Sequence, residues 1–537
     1  MGILLRLAAA SRRFDRAFYR RLGIDRLAAV VLPRIPQRLR GISPTYVLAV
    51  FVVIAAVLST TALWRSGPSG PSGRQLKTPG ASSPGATFGP AENAVALDDQ
   101  TASIGAGVTG RSRPGGTQRE GTGTAVSTKG LVATGRGVTA STITIGVIIG
   151  TGVAEMRQRV VGGECGNDCG DDRIPAQAAI DYINSQGGVA KRKIVPVFHE
   201  IDINENFDVS AQESCTDFTE DHQVFAVVDR DGSGPWAEQL IACLAKRATP
   251  RIASMETDQQ FADEYAPYYY DPNMFNLTRA GPIHVLGLLK QGYFEPGAKI
   301  GLLLYDRPAD RRAADQGIKR TLSAQGLTLT DEVAVSYPSS ISDLSRTAAQ
   351  SSSASLRFSS NGVTHLLIQD RRSLTFVFAA NAESQAYRPR YGITSFSQPR
   401  ELQRQLTPDS LRRMQGVGWN PVTDVDNQRI PPPNATRKLC IDIMTKAGVS
   451  SPQFDHKALT YCDSFFFLKT VADSAKVLTT ADFQTAAEGL GTKVEPVLTH
   501  ATRFGPGRHD GASAWRPVAF DNACTCFYYT GDLEPVG

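Results

Sequence analysis

The sequence of 537 residues predicts an α/β fold: two doubly wound lobes, each built on a parallel β-sheet, preceded by one transmembrane helix and a flexible linker. Three observations carry this prediction. Strand-like and helical segments alternate from Ser141 onward, an uncharged apolar run covers residues 46–64, and a stretch rich in Gly, Pro, Ser and Thr lies between them. Such an alternation is typical of a parallel sheet with helices on both faces.

The apolar run from Tyr46 to Trp64 contains no charged residue. Roughly 20 helical residues, at about 1.5 Å each, cross a bilayer core of about 30 Å. Ten arginines and only two aspartates precede the run, so residues 1–45 are predicted to stay in the cytoplasm and the rest to lie outside. A cleaved secretory signal is the alternative, but its charged region is much shorter. We therefore predict a basic tail, residues 1–45, and a signal anchor, residues 46–64.

The net charge of +5 is positive because of the amino-terminal tail. Residues 1–45 contribute +8 (ten Arg, two Asp), so the remainder carries −3 (5 − 8), without clustered basic and aromatic residues. This distribution argues against a nucleic-acid partner and favours contact of the tail with anionic lipid. Residues 65–140 are too poor in large apolar side chains to fold, and a coil of about 75 residues reaches about 50 Å.

All eight cysteines follow the apolar run, and an even number outside the cytoplasm indicates disulfides. Cys215 and Cys243 lie on successive predicted helices that flank one strand, and closing this loop adds about 3 to 4 kcal/mol of stability. We predict this pair and leave the others open. The remaining spacings, without a nearby His, make a poor zinc pattern, so neither a metal nor a cofactor is expected.

The predicted strands cover residues 143–149, 193–199, 224–228, 299–305, 333–336, 365–369 and 390–394. The predicted helices cover residues 175–186, 209–220, 235–247, 282–292, 309–325, 344–353, 373–383, 459–476 and 480–490. These segments form two alternating series, which is the reason for predicting two sheets and therefore two lobes.

The most informative segment runs from Ala178 to Val189. Its apolar residues have helical spacing, and Gly187 and Gly188 supply the left-handed stop before the next strand. With Asn-Ser-Gln-Gly-Gly-Val at its end, and following the strand Ile143–Ile149, this unit resembles the type I periplasmic binding proteins. The resemblance is to the leucine-binding-protein-like substrate-binding components of ABC transporters, and it covers residues 141–529.

The resemblance implies one ligand-binding domain, residues 141–537, whose chain crosses between lobes about three times. Lobe 1 is expected to comprise residues 141–278 and 417–503, and lobe 2 residues 279–400 and 504–537. The crossings are expected near residues 278–282, 396–417 and 502–511.

In lobe 1, the loop that contains Ser233 and Gly234 follows an apolar strand and opens a helix. Free backbone donors at such a position attract anions, and relatives hold a ligand carboxylate there. Ser233 is equally well explained as a helix N-cap. At the next strand end, Ser254 and Thr257 match hydroxyl residues that face the cleft in relatives, although a surface turn explains them too.

In lobe 2, the strand ends that complete the pocket in relatives carry Asp310, Asp370, Arg371, Ser395 and Phe396. Relatives that bind amino acids often present an acidic group after the last of these strands, where this chain has Ser395 and Phe396. That departure argues against a standard branched-chain amino acid as ligand. Asp370 offers a replacement, although Asp370 and Arg371 also fit a solvated surface pair.

The resemblance implies a membrane-anchored extracytoplasmic protein that captures a small amino-acid-like or other polar organic solute for an ABC permease. One alternative is a ligand-sensing ectodomain that acts through a partner membrane protein. Others are an exported α/β enzyme and a binding fold kept for protein contacts. Phosphate-loop and nucleophile-elbow motifs are absent from the sequence, so binding without turnover is the favoured interpretation.

Overall fold

The structure is a computed structural model, and it describes residues 131–152, 170–202, 205–230, 235–254, 256–338, 340, 343–369 and 373–536. The predicted basic tail, the predicted membrane span and residues 65–130 of the predicted linker lie outside this part of the chain. Among the helices that are described, none has the combination of length and apolar character that a bilayer crossing requires.

The first sheet has five strands in the spatial order β2, β1, β3, β4, β5, and every neighbouring pair is parallel. The strands are β1 Thr142–Thr151, β2 Lys193–Asp202, β3 Ala226–Asp229, β4 Arg251–Ala253 and β5 Tyr269–Tyr270. The helices between them are α1 Arg173–Ser185, α2 Phe207–Thr216, α3 Pro235–Lys246 and α4 Gln259–Glu264. The predicted parallel arrangement is therefore confirmed.

The second sheet has eight strands. They are β6 Ile300–Tyr305, β7 Leu329–Val335, β8 His365–Ile368, β9 Arg390–Thr394, β10 Met414–Gly418, β11 Ala514–Asp521, β12 Cys526–Tyr529 and β13 Glu534–Pro535. Strands β6 to β10 pair in parallel, in the order β10, β9, β8, β6, β7. Strands β11, β12 and β13 extend the β10 edge in antiparallel fashion, and the sequence alternation did not predict them.

The helices of the second lobe are α5 Leu277–Lys290, α6 Pro308–Ala313, α7 Arg320–Ala324, α8 Leu344–Ser360, α9 Leu374–Ser384, α10 Pro399–Gln405, α11 Pro408–Leu411 and α12 Pro421–Asp424. A π-helical segment, Ala314–Lys319, joins α6 to α7. Buried apolar clusters lie on both faces of the second sheet, as they do on both faces of the first. Each sheet is therefore the middle layer of its lobe.

Three further helices, α13 Ala435–Lys446, α14 His456–Ser474 and α15 Thr480–Glu488, return to the first lobe and pack on β1 and α1. The chain thus passes between the sheets three times, through residues 271–276, 419–434 and 489–513, and the second of these segments begins with α12 on the second lobe. Two of the expected positions were wrong. Residues 278–282 lie inside α5, and residues 396–417 contain α10, α11 and most of β10, whereas residues 502–511 lie within the third crossing.

The end of α1 shows why two glycines follow it. Gly187 and Gly188 have φ angles of 95° and 78°, which is the predicted left-handed stop. A Cβ atom on Gly188 would lie 1.9 Å from the carbonyl oxygen of Arg192, so no larger residue fits there. This tight turn sets the start of β2 beside the start of β1.

The first lobe begins before the predicted end of the linker. Val138 is buried in the core, and the Gly137 carbonyl accepts a hydrogen bond of 2.8 Å from the Thr144 amide. Arg192 Nη2 donates to the Val132 carbonyl at 2.9 Å. Placing the linker boundary at residue 140 was therefore wrong, because a single apolar side chain and backbone pairing attach these residues to the lobe.

The described residues contain three disulfides. The expected Cys215–Cys243 pair is present and joins α2 to α3. Cys440–Cys462 joins α13 to α14, and Cys524–Cys526 closes the turn between β11 and β12. Cys165 and Cys169 lie outside the described residues.

Candidate functional site

The carboxyl ends of the parallel strands of the two sheets lie next to each other, as two ion pairs between the lobes show. Arg307, just after β6, lies 3.0 Å from Glu238 on α3 (Nη1 to Oε1). Arg312, on α6, contacts Asp258 at the start of α4. Ligands of open α/β sheets bind at the carboxyl ends of the strands, so this interlobe region is the candidate site.

The contact between Arg312 and Asp258 is bidentate. Arg312 Nε donates to Asp258 Oδ2 at 2.6 Å, and Nη2 donates to Oδ1 at 3.0 Å. Asp258 is fully buried and also caps α4 by accepting from the Phe261 amide. A two-point, charge-assisted contact of this kind fixes the relative orientation of the groups it joins.

Arg307 is the central cation of the site. It is only 7% exposed, and its Nε donates to Asp310 Oδ2 at 2.6 Å. Its guanidinium carbon lies 5.0 Å from the ring centroid of Tyr337. Nη1 faces Glu238 without hydrogen-bond geometry, and Nη2 is buried without a hydrogen bond. Arg307 therefore keeps donor capacity at the boundary between the lobes.

Ser254 and Thr257, the hydroxyl residues expected after β4, are both buried. Ser254 Oγ donates to Asn273 Oδ1 at 2.8 Å, which ties the strand end to the first crossing. Thr257 Oγ1 is buried without a hydrogen-bond partner. Since buried hydroxyls normally have a partner, Thr257 is the stronger candidate for contact with a ligand.

Asp310 is buried and contacts Arg307. Its carboxylate accepts from Arg307 Nε, and its backbone carbonyl accepts from Gln369 Nε2 at 2.8 Å. Gln369 Oε1 is buried without a hydrogen bond. These contacts give Asp310 a positioning role, its direct contact with a ligand stays a prediction, and Gln369 is a further group that keeps an unused polar atom.

Ser395 and Phe396 make contacts within lobe 2. Ser395 Oγ accepts from the Trp419 and Asn420 amides at 2.7 and 3.3 Å, so it connects the ends of β9 and β10. Phe396 packs edge-on against Trp419, with ring centroids 4.9 Å apart. It also lines a recess with Gln369 and other residues that has room for about one water molecule. Contact of either residue with a ligand stays a prediction.

The other expected contacts, Ser233, Gly234, Asp370 and Arg371, lie outside the described residues.

A charged cluster at the carboxyl ends of β1 and β3 was not predicted from the sequence. Asp172 is almost fully buried, and its two oxygens accept from Arg230 Nε at 2.6 Å and from Lys457 Nζ at 2.7 Å. Two cations from distant parts of the chain therefore hold one carboxylate at the strand ends of lobe 1. Because residues 172 and 457 are far apart in sequence, no local pattern reveals this cluster.

Arg307 was also not predicted from the sequence, although its position along the chain marks it. It stands between the end of an apolar strand and Pro308, the first residue of α6. The residue before a proline is held in extended conformation, and Arg307 has φ −125° and ψ 149°. A cation fixed at a strand end in this way is a reasonable marker of a site.

The site offers hydrogen-bond donors and fixed charges. Within the ranges that the structure describes, no group of three or more His, Cys, Asp or Glu residues is arranged to hold a metal ion. Arg307, Thr257 and Gln369 supply buried polar atoms that make no hydrogen bond, and they come from both lobes. Such an arrangement can bind a polar molecule and hold the lobes together.

Comparison with solved structures finds the same fold at low sequence identity. A substrate-binding protein of an ABC transporter from Aeropyrum pernix aligns with a TM-score of 0.54 at 14% identity, over 74% of this chain and 96% of its own. An R. palustris solute-binding protein in complex with 4-hydroxybenzoate gives 0.54 at 11% identity, over 74% and 98%. A Thermus thermophilus branched-chain amino acid transporter protein with bound valine gives 0.51 at 14%, over 74% and 97%.

A sequence comparison with curated proteins finds no match. The family profile described as "Periplasmic binding protein" matches residues 170–523, which is well over half of the chain. The match covers both sheets except β1 and the last strands. With the two parallel-sheet lobes and the polar interlobe site, it shows that the chain belongs to the periplasmic binding protein family.

Proposed function

We propose that this protein is the extracytoplasmic solute-binding component of an ABC-type importer, and that it binds a small polar organic solute bearing a carboxylate. The family is one of binding proteins and not of enzymes. The observation that carries the proposal is Arg307, a buried guanidinium between the lobes whose two terminal nitrogens lack hydrogen bonds.

The donors around Arg307 suit an acidic group. A planar guanidinium recognises carboxylates at two points, and Thr257 adds a hydroxyl donor from the opposite lobe. The solutes bound in the R. palustris and Thermus thermophilus structures, 4-hydroxybenzoate and valine, both contain a carboxyl group.

Binding is tested by calorimetry on the full-length protein in detergent. The panel pairs aliphatic, aromatic and amino carboxylic acids with the corresponding neutral amides. We expect at least one acid to bind at the interlobe site and its amide to bind much more weakly, because the amide lacks the charge that Arg307 recognises. Equal affinity for an acid and its amide would contradict the carboxylate assignment.

Arg307→Met removes the guanidinium and keeps most of the apolar volume. We expect the affinity for the best acid to fall by about 10- to 100-fold, which corresponds to the loss of charge-assisted hydrogen bonds. Arg311→Met is the matched control, because Arg311 is half exposed and pairs with Asp306 at the surface. Circular dichroism checks that both variants fold. If a folded R307M protein binds as tightly as R311M, Arg307 is not a ligand contact.

We further propose that residues 46–64 anchor the domain at the outer face of the cell membrane. The support is the apolar run itself, together with the ten arginines before it. In alkaline carbonate extraction of membranes, the protein is expected to remain in the pellet with residues 1–45 attached. Release into the supernatant, with a mature amino terminus beyond residue 64, would instead show that the run is a cleaved signal.

A further inference from the structure

We propose that the Cys524–Cys526 disulfide is a thiol-exchange site, open to an extracytoplasmic low-molecular-weight thiol or protein dithiol, while the other described disulfides are structural. The three described disulfides differ in their surroundings. Cys215, Cys440 and Cys462 have no exposure to solvent, and Cys243 is partly exposed, as Cys524 is, but it packs against a buried apolar cluster beside α2. Cys524–Cys526 lies in the turn between β11 and β12, where Asn522, Ala523 and Thr525 are exposed.

The backbone between the two cysteines is strained when the bond is closed. Thr525 has a φ of 53°, in the left-handed region that β-branched residues rarely adopt. Opening the Cys524–Cys526 bond frees Thr525 to relax, so reduction relieves strain here. Exposed or strained disulfides are the ones that exchange with external thiols.

The fold does not depend on this bond. Cys524 and Cys526 are two residues apart, whereas the other two pairs are 28 and 22 residues apart. Closing so short a ring removes far less freedom from the unfolded chain than closing the longer ones. Strands β11 and β12 are also paired through their backbones from Val518 with Tyr529 to Phe520 with Phe527, so the strands stay paired when the turn between Asp521 and Cys526 relaxes.

The exchange site and the proposed solute site lie at opposite ends of the second sheet. In the antiparallel register, Gly418 at the carboxyl end of β10 pairs with Arg516, and Gln415 near its start pairs with Ala519. The turn after Asp521 therefore lies beyond the amino-terminal ends of the parallel strands, away from the interlobe site. Reduction is expected to leave solute binding unchanged, so the two proposals can fail separately.

The expected reaction begins at the more accessible sulfur. Cys526 is 4% exposed, whereas Cys524 is partly exposed, so an incoming thiolate attacks Cys524 Sγ. The Cys524–Cys526 bond breaks, its electron pair leaves on Cys526 Sγ, and that thiolate takes a proton from water. A second thiolate from the reductant then attacks the mixed disulfide at the reductant's sulfur, releasing Cys524. Overall, one protein disulfide and two thiols give one protein dithiol and one oxidised reductant.

The test is a redox titration of the full-length native protein in graded ratios of reduced to oxidised dithiothreitol, followed by alkylation and peptide mass spectrometry. We expect half-reduction of Cys524–Cys526 at a ratio at least tenfold lower than for Cys215–Cys243 or Cys440–Cys462, with an unchanged circular dichroism spectrum. Reduction of all three pairs over one range, or of Cys524–Cys526 last, would overturn the proposal.

Two variants sharpen the result. Thr525→Asn places a residue that tolerates left-handed backbone at the strained position, so half-reduction should require a higher ratio than in the native protein. Cys526→Ser leaves Cys524 without its partner, and oxidised glutathione should then be trapped on Cys524 as a stable mixed disulfide. Repeating the titration with glutathione and with a purified protein dithiol separates the two sources of thiol. Failure of both to react with the folded native protein would also overturn the proposal.

Discussion

Asp424 shows how a single carboxyl group stabilises the passage between the lobes. It is fully buried at the second crossing, and its Oδ2 accepts from the Asn420 amide at 2.8 Å and from the Tyr529 hydroxyl at 2.9 Å. Burial raises the pKa of Asp424 to about 7, although these hydrogen bonds oppose the shift. The neutral acid is thus favoured in the folded protein far more than in the unfolded chain.

This pKa shift predicts a pH dependence of stability. Because the folded pKa exceeds the unfolded value, the folded state binds the proton more tightly than the unfolded chain does. The unfolding free energy that this proton contributes is therefore lost as pH rises from about 4 through about 7. We expect the difference in unfolding free energy between the native protein and Asp424→Asn to shrink by about 2 kcal/mol between about pH 5 and about pH 7.5. Urea unfolding of both proteins at the two pH values measures this difference. A difference that grows with pH would mean that the buried group is ionised.

At the scale of residues, sequence reasoning succeeded where local spacing carries the information. The Cys215–Cys243 pair followed from two helices that flank one strand. It failed for groups that only the tertiary structure brings together, such as Asp172 with Lys457. The contact of the Ser395 hydroxyl with the Trp419 amide is another that sequence alone does not show.

At the scale of elements, the turn from α1 into β2 depends on Gly188. Gly188→Ala combines a left-handed backbone with a Cβ that would lie 1.9 Å from the Arg192 carbonyl, so the chain must shift. We expect a loss of unfolding free energy of about 2 kcal/mol or more. Gly297→Ala is the matched control: its φ is 84°, but its Cβ would meet nothing within 4 Å, and backbone strain alone predicts about 1 kcal/mol. Equal losses in urea unfolding would mean that the close approach is absent.

Element bounds were predicted best where an apolar strand is buried on both sides. Strand β9 has the predicted bounds, Arg390–Thr394. Helix α5 was predicted to begin at Pro282, but it begins at Leu277 because the Asn276 side chain caps the Arg279 amide. Strand β10 was missed because its five residues, with two glycines, carry little strand character.

At the scale of the whole molecule, the proposed function requires two lobes that close on a solute. A solute can shift the equilibrium between open and closed forms only if it binds the closed form more tightly. Arg307 and Thr257 approach the site from different lobes, so a ligand that contacts both provides that difference. The ion pairs of Arg307 with Glu238 and of Arg312 with Asp258 also stabilise the closed form.

The most direct test is the distance between the lobes, measured by pulsed electron resonance on the full-length protein. Spin labels attached through noncanonical residues at Lys246 and Arg346, both exposed and one in each lobe, leave the cysteines untouched. We expect a saturating carboxylate ligand to collapse a broad distribution of distances into one narrow, closed population. An identical distribution with and without saturating ligand would contradict closure around a solute.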